Sequence, residues 1–362
     1  VSVSRVGLVV HQGRPAAVEV ARAIRAWCAD HGVGCHDIDV WREGEERRSA
    51  KEEARAAGRP DLVVTTGGDG TFLRGARVAA CDGAAVLGVD LGTVGFLTEV
   101  PAAGVRPALD DVHEGRATIE ERMLLTVRAS RPLEIPTDME ALLHYGRGPL
   151  LPPPQPREAP DRTEGGGWGT ALDVYAVNDI VLEKLARDRQ VAVGVYISGR
   201  LLASYSADAL LTATPTGSTA YSFAAGGPVL SPHTEAVVFT PVAPHMTFDR
   251  SVIVAPDEPV ALRVLPHSGR AAVSVDGQLR GVLEPGDWIG VYAARRRLRV
   301  VRMRTPDFYG RLRSRLRLTD APAAEEAPPL WSFTSPPPPE LAHLRISPRP
   351  PRNPDQSAPP PR

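Results

Sequence analysis

Asp61 to Phe72 reads DLVVTTGGDGTF. Leu62 to Thr65 are strand-type residues that run straight into Gly67-Gly68-Asp69-Gly70-Thr71, and the pattern predicts a helix from Phe72 onward. Strand, glycine turn and helix together let backbone N–H groups and a helix N-terminus meet a phosphate. The carboxylate in the middle is the informative residue. A loop built only to hold phosphate gains nothing from a negative charge, so Asp69 is expected to face an acceptor hydroxyl or a metal ion. That is the layout of a kinase assisting transfer onto an alcohol. The alternative is a tight βα turn with Asp69 as a plain helix cap. Arg74, one helical turn after Thr71, lies on the side that meets phosphate oxygens; a solvated helix arginine is its other reading.

Working outward, Arg5 to Val10 (RVGLVV) reads as a buried strand, and the start of the chain shows no cleavage pattern of a signal peptide. Arg14 to Asp30 sets Ala17, Val20, Ala21, Ile24, Trp27 and Cys28 at helical spacing, with Gly32 as the stop. Cys35 to Val40 is a second short strand. Glu43 to Ala57 is a charged, Ala-rich solvated helix ended by Gly58 and Pro60. After the glycine turn a helix runs to about Ala80, and Ala85 to Asp90 (AVLGVD) is a further strand. Strands alternating with helices predict a mostly parallel nucleotide-binding sheet with the ligand at the strands' carboxyl ends. Gly88 to Thr98 (GVDLGTVGFLT) would border the same crevice. Gly92 and Gly95 allow close backbone approach, and Phe96 either stacks on a base or packs in the core.

From Met123 the texture changes. Leu124–Ala129, Val174–Leu182, Val191–Ile197, Leu201–Tyr205, Leu210–Thr214, Ser251–Val254, Ala261–Leu265, Ala272–Val275 and Trp288–Ala293 are short alternating segments between Gly, Pro and Asp turns. The fold class is therefore α/β followed by β: an α/β domain over residues 1–122 and a β-rich, sandwich-like domain over 123–303. Residues 131–169, with LPPPQP and GGG, read as a flexible insertion. Inside the β domain, Thr214 to Ser222 (TPTGSTAYS), followed by Ala225-Gly226-Gly227-Pro228, forms a polar loop suited to ribose and phosphate oxygens. Asn178-Asp179 at a strand start and Asp208 ahead of the loop's strand feed polar groups toward it, though each alone would be only a turn residue.

Composition bounds the partners. At 43% hydrophobic residues the chain is globular, and a net charge of −1 gives no general pull toward nucleic acid or membrane. Cys28, Cys35 and Cys81 have no zinc spacing, and an odd count fits reduced thiols in a cytoplasm. Arg295 to Arg317 holds ten arginines, but Leu298, Val300, Val301 and Met303 interleave with them as on a strand with one polar face. Phe308, Leu312 and Leu316 then keep helical spacing. A solvated face is expected rather than a nucleic-acid patch. Residues 321–362 hold 14 of the 36 prolines and read as a disordered or extended tail.

GGDGT at Gly67–Thr71, TPTGSTAY at Thr214–Tyr221 and AGGP at Ala225–Pro228 together resemble the NAD kinase family. The similarity extends through PVAPH at Pro241–His245, SVDGQ at Ser274–Gln278 and FYGRLRSRL at Phe308–Leu316. The resemblance implies a final helix (304–320) that returns to the first domain. It implies phosphorylation of the adenosine ribose 2′-hydroxyl of NAD by ATP or another donor, giving NADP. It also implies a homo-oligomer, dimer or tetramer, whose site borrows residues from a neighbouring subunit. Carried over by motif, Asp69 is the proton acceptor, Gly68, Gly70 and Thr71 shape the phosphate loop, and Arg74 meets a phosphate. Asn178, Asp179, Arg189 and Asp208 contact the dinucleotide; Thr219, Ala220, Tyr221, Ser222, Phe223 and Ala224 surround the nucleotide; Ala243 and Gln278 are further contacts. Mg²⁺, or another divalent cation, would bridge the donor's phosphates without a dedicated protein cage.

Five positions depart from the family pattern: Asp90 stands for Asn, Asp179 for the commoner Glu, Ala207 and Ala209 for glycines, and Ala213 for Ser. A lipid or sugar kinase sharing the GGDGT loop, or a dinucleotide-binding paralogue without turnover, are the alternative functions.

Overall fold

The computed structural model describes residues 3–42, 48–92, 95–136, 152–156, 169–185, 189–246, 248–303, 307–317 and 339. Most of the insertion and of the proline-rich tail therefore lies outside the described residues. The chain divides into two units, Val1–Arg304 and Thr305–Arg362. In the second, Phe308–Leu316 is helical and capped by the Asp307 side chain, which accepts from Gly310 N.

The first unit opens with β1 (Arg5–Val10), α1 (Pro15–Asp30), β2 (Gly34–Asp37), α2 (Ala50–Ala56), β3 (Leu62–Gly67), α3 (Asp69–Asp82), β4 (Ala85–Asp90), β5 (Val100–Pro101), α4 (Val105–His113) and β6 (Thr118–Arg122). Alternation along β3 shows why this half is doubly wound. Leu62 and Val64 bury against Ile24 and Trp27 of α1 and Leu109 of α4, whereas Val63 faces Phe72 and Ala76 of α3. The expected parallel sheet forms, in the order β2-β1-β3-β4. Helix α3 begins at Asp69, three residues earlier than the periodicity indicated, because glycines do not mark where a helix's hydrogen bonding starts. Helix α2 is shorter than expected; Ser49 and Glu52 form a capping box, and Glu53 is buried rather than solvated, which raises its carboxyl.

The remainder is a sandwich. Its strands are β7 (Leu125–Ala129), β8 (Thr170–Ala176), β9 (Asp179–Lys184), β10 (Val191–Ile197), β11 (Arg200–Ala207), β12 (Ala209–Ala213), β13 (Val237–Val242), β14 (Val252–Val254), β15 (Val260–Val264), β16 (Ala271–Val275), β17 (Gln278–Leu283) and β18 (Trp288–Ala293), followed by β19 (Leu298–Arg302). Two antiparallel sheets, β11-β10-β15-β18-β7-β8 and β14-β13-β12-β9-β16-β17, enclose one core that includes Leu172, Leu182, Tyr205, Phe239 and Leu262. The expected segment Val174–Leu182 is two strands, broken at Val177-Asn178 where the chain changes sheet.

Strand β19 overturns two readings. It lies in the stretch given to the β domain, yet it pairs parallel with β4 and antiparallel with β6, extending the first sheet. The solvated-face reading fails at Arg302, whereas Arg295, Arg296, Arg313 and Arg315 are exposed as expected. Arg302 is 2% exposed and bonds Glu99 and Glu120, while Val300 and Val301 are both buried. A strand covered on both faces hides its alternation, so interleaved arginines misled.

Candidate active site

The carboxyl ends of β1, β2, β3 and β4 bring their following loops together, as open α/β sheets do. Gly68 caps α3 and Asp69 is its first residue. The Asp69 carboxylate accepts backbone N–H bonds from Phe96 at 2.9 Å, Leu97 at 3.2 Å and Thr98 at 3.4 Å. The loop after β4 is thereby folded over the loop after β3. Gly95 makes this approach possible, since a Cβ there would lie 1.9 Å from Asp69 Oδ1. Gly67 is required in the same sense, because a Cβ would meet Thr71 Oγ1 at 2.3 Å. Phe96 is half-buried. Asp90 caps the start of the same loop, its Oδ1 accepting from Gly92 N at 3.0 Å.

A cavity of about 510 Å³ opens beside this loop. Gly68, Gly70, Thr71 and Arg74 line one side and Asp276, Gly277 and Gln278 the other. His11, Arg14 and Trp41, from the loops after β1 and β2, close it. Arg74 is 8% exposed and lies over the Trp41 ring, 4.1 Å from the centroid. Burial, with the like charge of Arg77, lowers its guanidinium to about 10, so it remains a cation at neutral pH.

Behind the cavity a polar network ties the glycine turn to the sandwich. Arg77 donates to Gln278 Oε1 and its charge favours ionised Asp276. Asp276 accepts from the backbone N–H of Val177, Asn178 and Asp179 at 3.0, 2.7 and 3.2 Å. Burial nonetheless raises the Asp276 carboxyl. Asp179 is 4% exposed, and burial together with Asp276 lifts it to about 7. The next link is Thr214, whose Oγ1 donates to Val177 O at 2.6 Å and accepts from Gly217 N. At Gly217 a Cβ would sit 2.1 Å from Asn178 O.

The hydroxyls of the TPTGSTAYS loop differ from expectation. Thr216, Ser218 and Ser222 are buried and bond Arg122, Pro215 O and Thr240 respectively. They hold the loop's shape instead of facing a ribose. Tyr221, Phe223 and Ala224 are the exposed members, and Thr219 and Ala220 are half-buried.

Two family descriptions match the chain: ATP-NAD kinase N-terminal domain over residues 6–117 and ATP-NAD kinase C-terminal domain over 177–303. NAD kinase 1 of Streptomyces avermitilis is 70% identical, covering 96% of this chain and 98% of that protein. NAD kinase 1 of Streptomyces coelicolor is 69% identical, covering 95% of each. The chain belongs to the NAD kinase family. Among solved structures, yeast NADH kinase complexed with NADH has a TM-score of 0.66 at 22% identity over 91% of each chain. An NAD kinase from Archaeoglobus fulgidus in complex with ATP has a TM-score of 0.59 at 20% identity, covering 86% of this chain and 98% of its own. Both share the two-domain NAD kinase fold.

Within this NAD kinase fold the motif residues fall into two groups. Gly68, Gly70, Thr71, Arg74, Gln278, Asn178 and Asp179 belong to the cavity and its network, and Asp69 stands between two of the lining glycines. Asp208 does not. It precedes β12 whereas Thr214 follows it, so the two lie about 20 Å apart at strand rise. The sequence expectation that Asp208 feeds the TPTGSTAY loop is therefore corrected. Asp208 instead receives Lys184 Nζ at 2.6 Å. Nearby, Gln190 Nε2 donates to the carbonyl of Ala243, a residue at φ +45°, and Gln190 Oε1 accepts from Ser206. Arg189, adjacent to Gln190, is exposed.

His11, Arg14, Trp41, Arg77 and Asp276 were not found from sequence. For Asp276 a signal existed: Asp276-Gly277 has φ of +48° and +72° between paired Val275 and Gln278, a two-residue hairpin that Asp-Gly announces. The tryptophan after β2 and the second arginine of α3 carry no such local signature.

Proposed function

We propose that this NAD kinase joins a donor phosphate to the 2′-hydroxyl of the adenosine ribose of NAD at the rim of the cavity beside Asp69. The supporting observation is the Asp69 carboxylate itself, fixed by three backbone N–H groups between two glycines that line the cavity. A carboxylate so held is pre-aligned and needs no reorganisation as the reaction proceeds. The 2′-oxygen attacks the terminal phosphorus of ATP and forms the new O–P bond. The bond from that phosphorus to the bridging oxygen breaks, ADP departs with its electron pair, and the hydroxyl proton passes to Asp69. Arg74, still cationic, neutralises phosphate charge.

Among the described residues no group of three or more His, Cys, Asp or Glu is placed to hold a metal ion. A divalent cation carried by the donor's phosphates would contribute charge neutralisation. Asp208, Ala243 and Arg189, at the end of β12 away from the TPTGSTAY loop, suit a dinucleotide site completed by a second copy of the chain. Among the described residues no helix is long and apolar enough to cross a membrane, and three thiols without a disulfide agree with a cytoplasmic setting.

Purified protein incubated with NAD, ATP and Mg²⁺, with NADP read by an NADP-specific dehydrogenase, tests the assignment beside Asp69→Asn. NADP formed by wild type and lost by about 10²-fold or more in the variant is expected. Equal rates would remove Asp69 from the chemistry.

A further inference from the structure

Arg280 on β17 is 5% exposed, and its Nε and Nη1 are buried without a hydrogen-bond partner among the described residues. The strand register explains how it comes to lie there. Ser274 pairs with Leu279 and Val273 with Gly281, so Arg280 is the extra residue of a β-bulge, an irregularity that re-aims a side chain. The charges that bear on its guanidinium do not cancel it. Arg77 of α3 repels it, and the Asp173 carboxylate is shared with Lys51, whose Nζ is 3.7 Å away. The Cys81 thiol, pushed up to about 12, stays neutral. Burial and Arg77 lower the Arg280 guanidinium to about 9, so it remains a cation at neutral pH. A buried cation without a counter-charge destabilises a fold and persists where function selects it.

We propose that Arg280 serves nucleotide binding as a fixed positive charge behind the cavity, answered by the phosphate chain of a bound nucleotide. This rests on the reading that substrate phosphates occupy that cavity. Three of the cavity's lining residues are arginines, Arg14, Arg74 and Arg77, and one, Asp276, is a carboxylate. Asp276 already answers Arg77, so an anion entering the cavity meets the uncancelled field of Arg280 as well. No contact is needed, because a charge in the protein interior is screened far less than one in water. The cation burdens the empty protein and gains a partner only when substrate arrives, which sets stability against affinity at one side chain. The phosphate chain belongs to the donor or to NAD, and kinetics separate the two.

The test compares full-length wild type with Arg280→Met, which is neutral and keeps an unbranched stem. Without nucleotide, Arg280→Met should melt level with wild type or up to about 5 °C higher, since a buried charge without a partner has been removed. KM for ATP or for NAD should rise about fivefold with kcat within about twofold, and the Tm gain produced by that same nucleotide should shrink to match. The substrate affected identifies the phosphate chain. Adenosine, which has no phosphate, should raise Tm equally in both proteins. A nucleotide-free variant more than about 2 °C below wild type makes the guanidinium a packing group and overturns the proposal. Unchanged binding of both ATP and NAD, or adenosine weakened as much as the nucleotides, overturns it too. If Arg280→Met does not fold, Arg280→Gln is read in the same way. Wild type that forms no NADP would instead fail the kinase reading, while the Tm gains from ATP and NAD still decide Arg280.

Discussion

Replacing Gly95 by alanine tests the geometry of Asp69, the proposed proton acceptor, with a single methyl group. The Cβ would fall 1.9 Å from Asp69 Oδ1, 2.5 Å from its Cγ and 2.7 Å from Oδ2. Real Cβ contacts stay beyond about 3.0 Å, so the carboxylate or the loop must withdraw by roughly 1.1 Å. Neither moves cheaply, because the same carboxylate is tied to Phe96, Leu97 and Thr98 N–H. A displacement of that size at a reacting group costs on the order of 10² in rate. The stability cost should be smaller, about 1–2 kcal/mol, since Asp69 is only half-buried and water replaces part of the lost hydrogen bonding. The assay pairs kcat for NADP formation with urea unfolding, and Gly92→Ala is the control. Among the described residues a Cβ at Gly92 would approach nothing nearer than Arg14 Nη1 at 3.8 Å, so that variant should keep kcat within about twofold. A Gly95→Ala enzyme with wild-type kcat would refute the claim that this fixed carboxylate carries the reaction.

Asp179→Asn should flatten the pH profile of stability. The Asp179 carboxyl is raised to about 7 in the fold, above its ordinary value of 3.8, so its contribution is complete below pH 4 and is lost as pH rises through 7. That loss is on the order of 4 kcal/mol, read as Tm against pH, and an unchanged slope in the variant would contradict it. Asp276→Asn keeps an acceptor for the turn at Val177–Asp179 but removes the charge facing Arg77; about 1–3 kcal/mol of destabilisation is expected by urea titration, smaller at pH 8 than at pH 5, because a carboxyl raised by the fold gives up stability as pH rises. Arg302→Ala leaves the buried Glu99 side chain without its cation and takes one of two from Glu120, which keeps Arg122, and should cost about 3 kcal/mol by the same measurement. Gly217→Ala, colliding with Asn178 O, should disturb the TPTG loop and raise KM for NAD; unchanged kinetics and unfolding would disprove the constraint.

The legible features were those written locally. Asp61–Phe72 encodes its strand and turn in consecutive residues, and the helical spacing of Ala17 to Cys28 matches the buried face of α1. The short alternating segments gave the sandwich because each strand has an inner and an outer face. What stayed hidden depends on distant pairing. Val237–Val242 and Gln278–Leu283 are continuous buried runs whose strand character comes from neighbours, and Arg302 reads as a surface cation until Glu99 and Glu120 close on it. The site followed the same division. GGDG and TPTGSTAY stand out as strings, whereas Trp41 beneath Arg74 joins residues 33 positions apart through folded space.

The position of β19 has a consequence for synthesis. The first sheet is laid down by residues 5–90 and 118–122, yet the strand between β4 and β6 is Leu298–Arg302. A ribosome must therefore release the whole sandwich before the opening sheet can be finished. Until then the edge of β4 and the carboxylates of Glu99 and Glu120 await a partner that is still untranslated. The glycine turn can form early on the nascent chain, but the frame behind it closes late, and a chaperone would meet this protein with its catalytic half open.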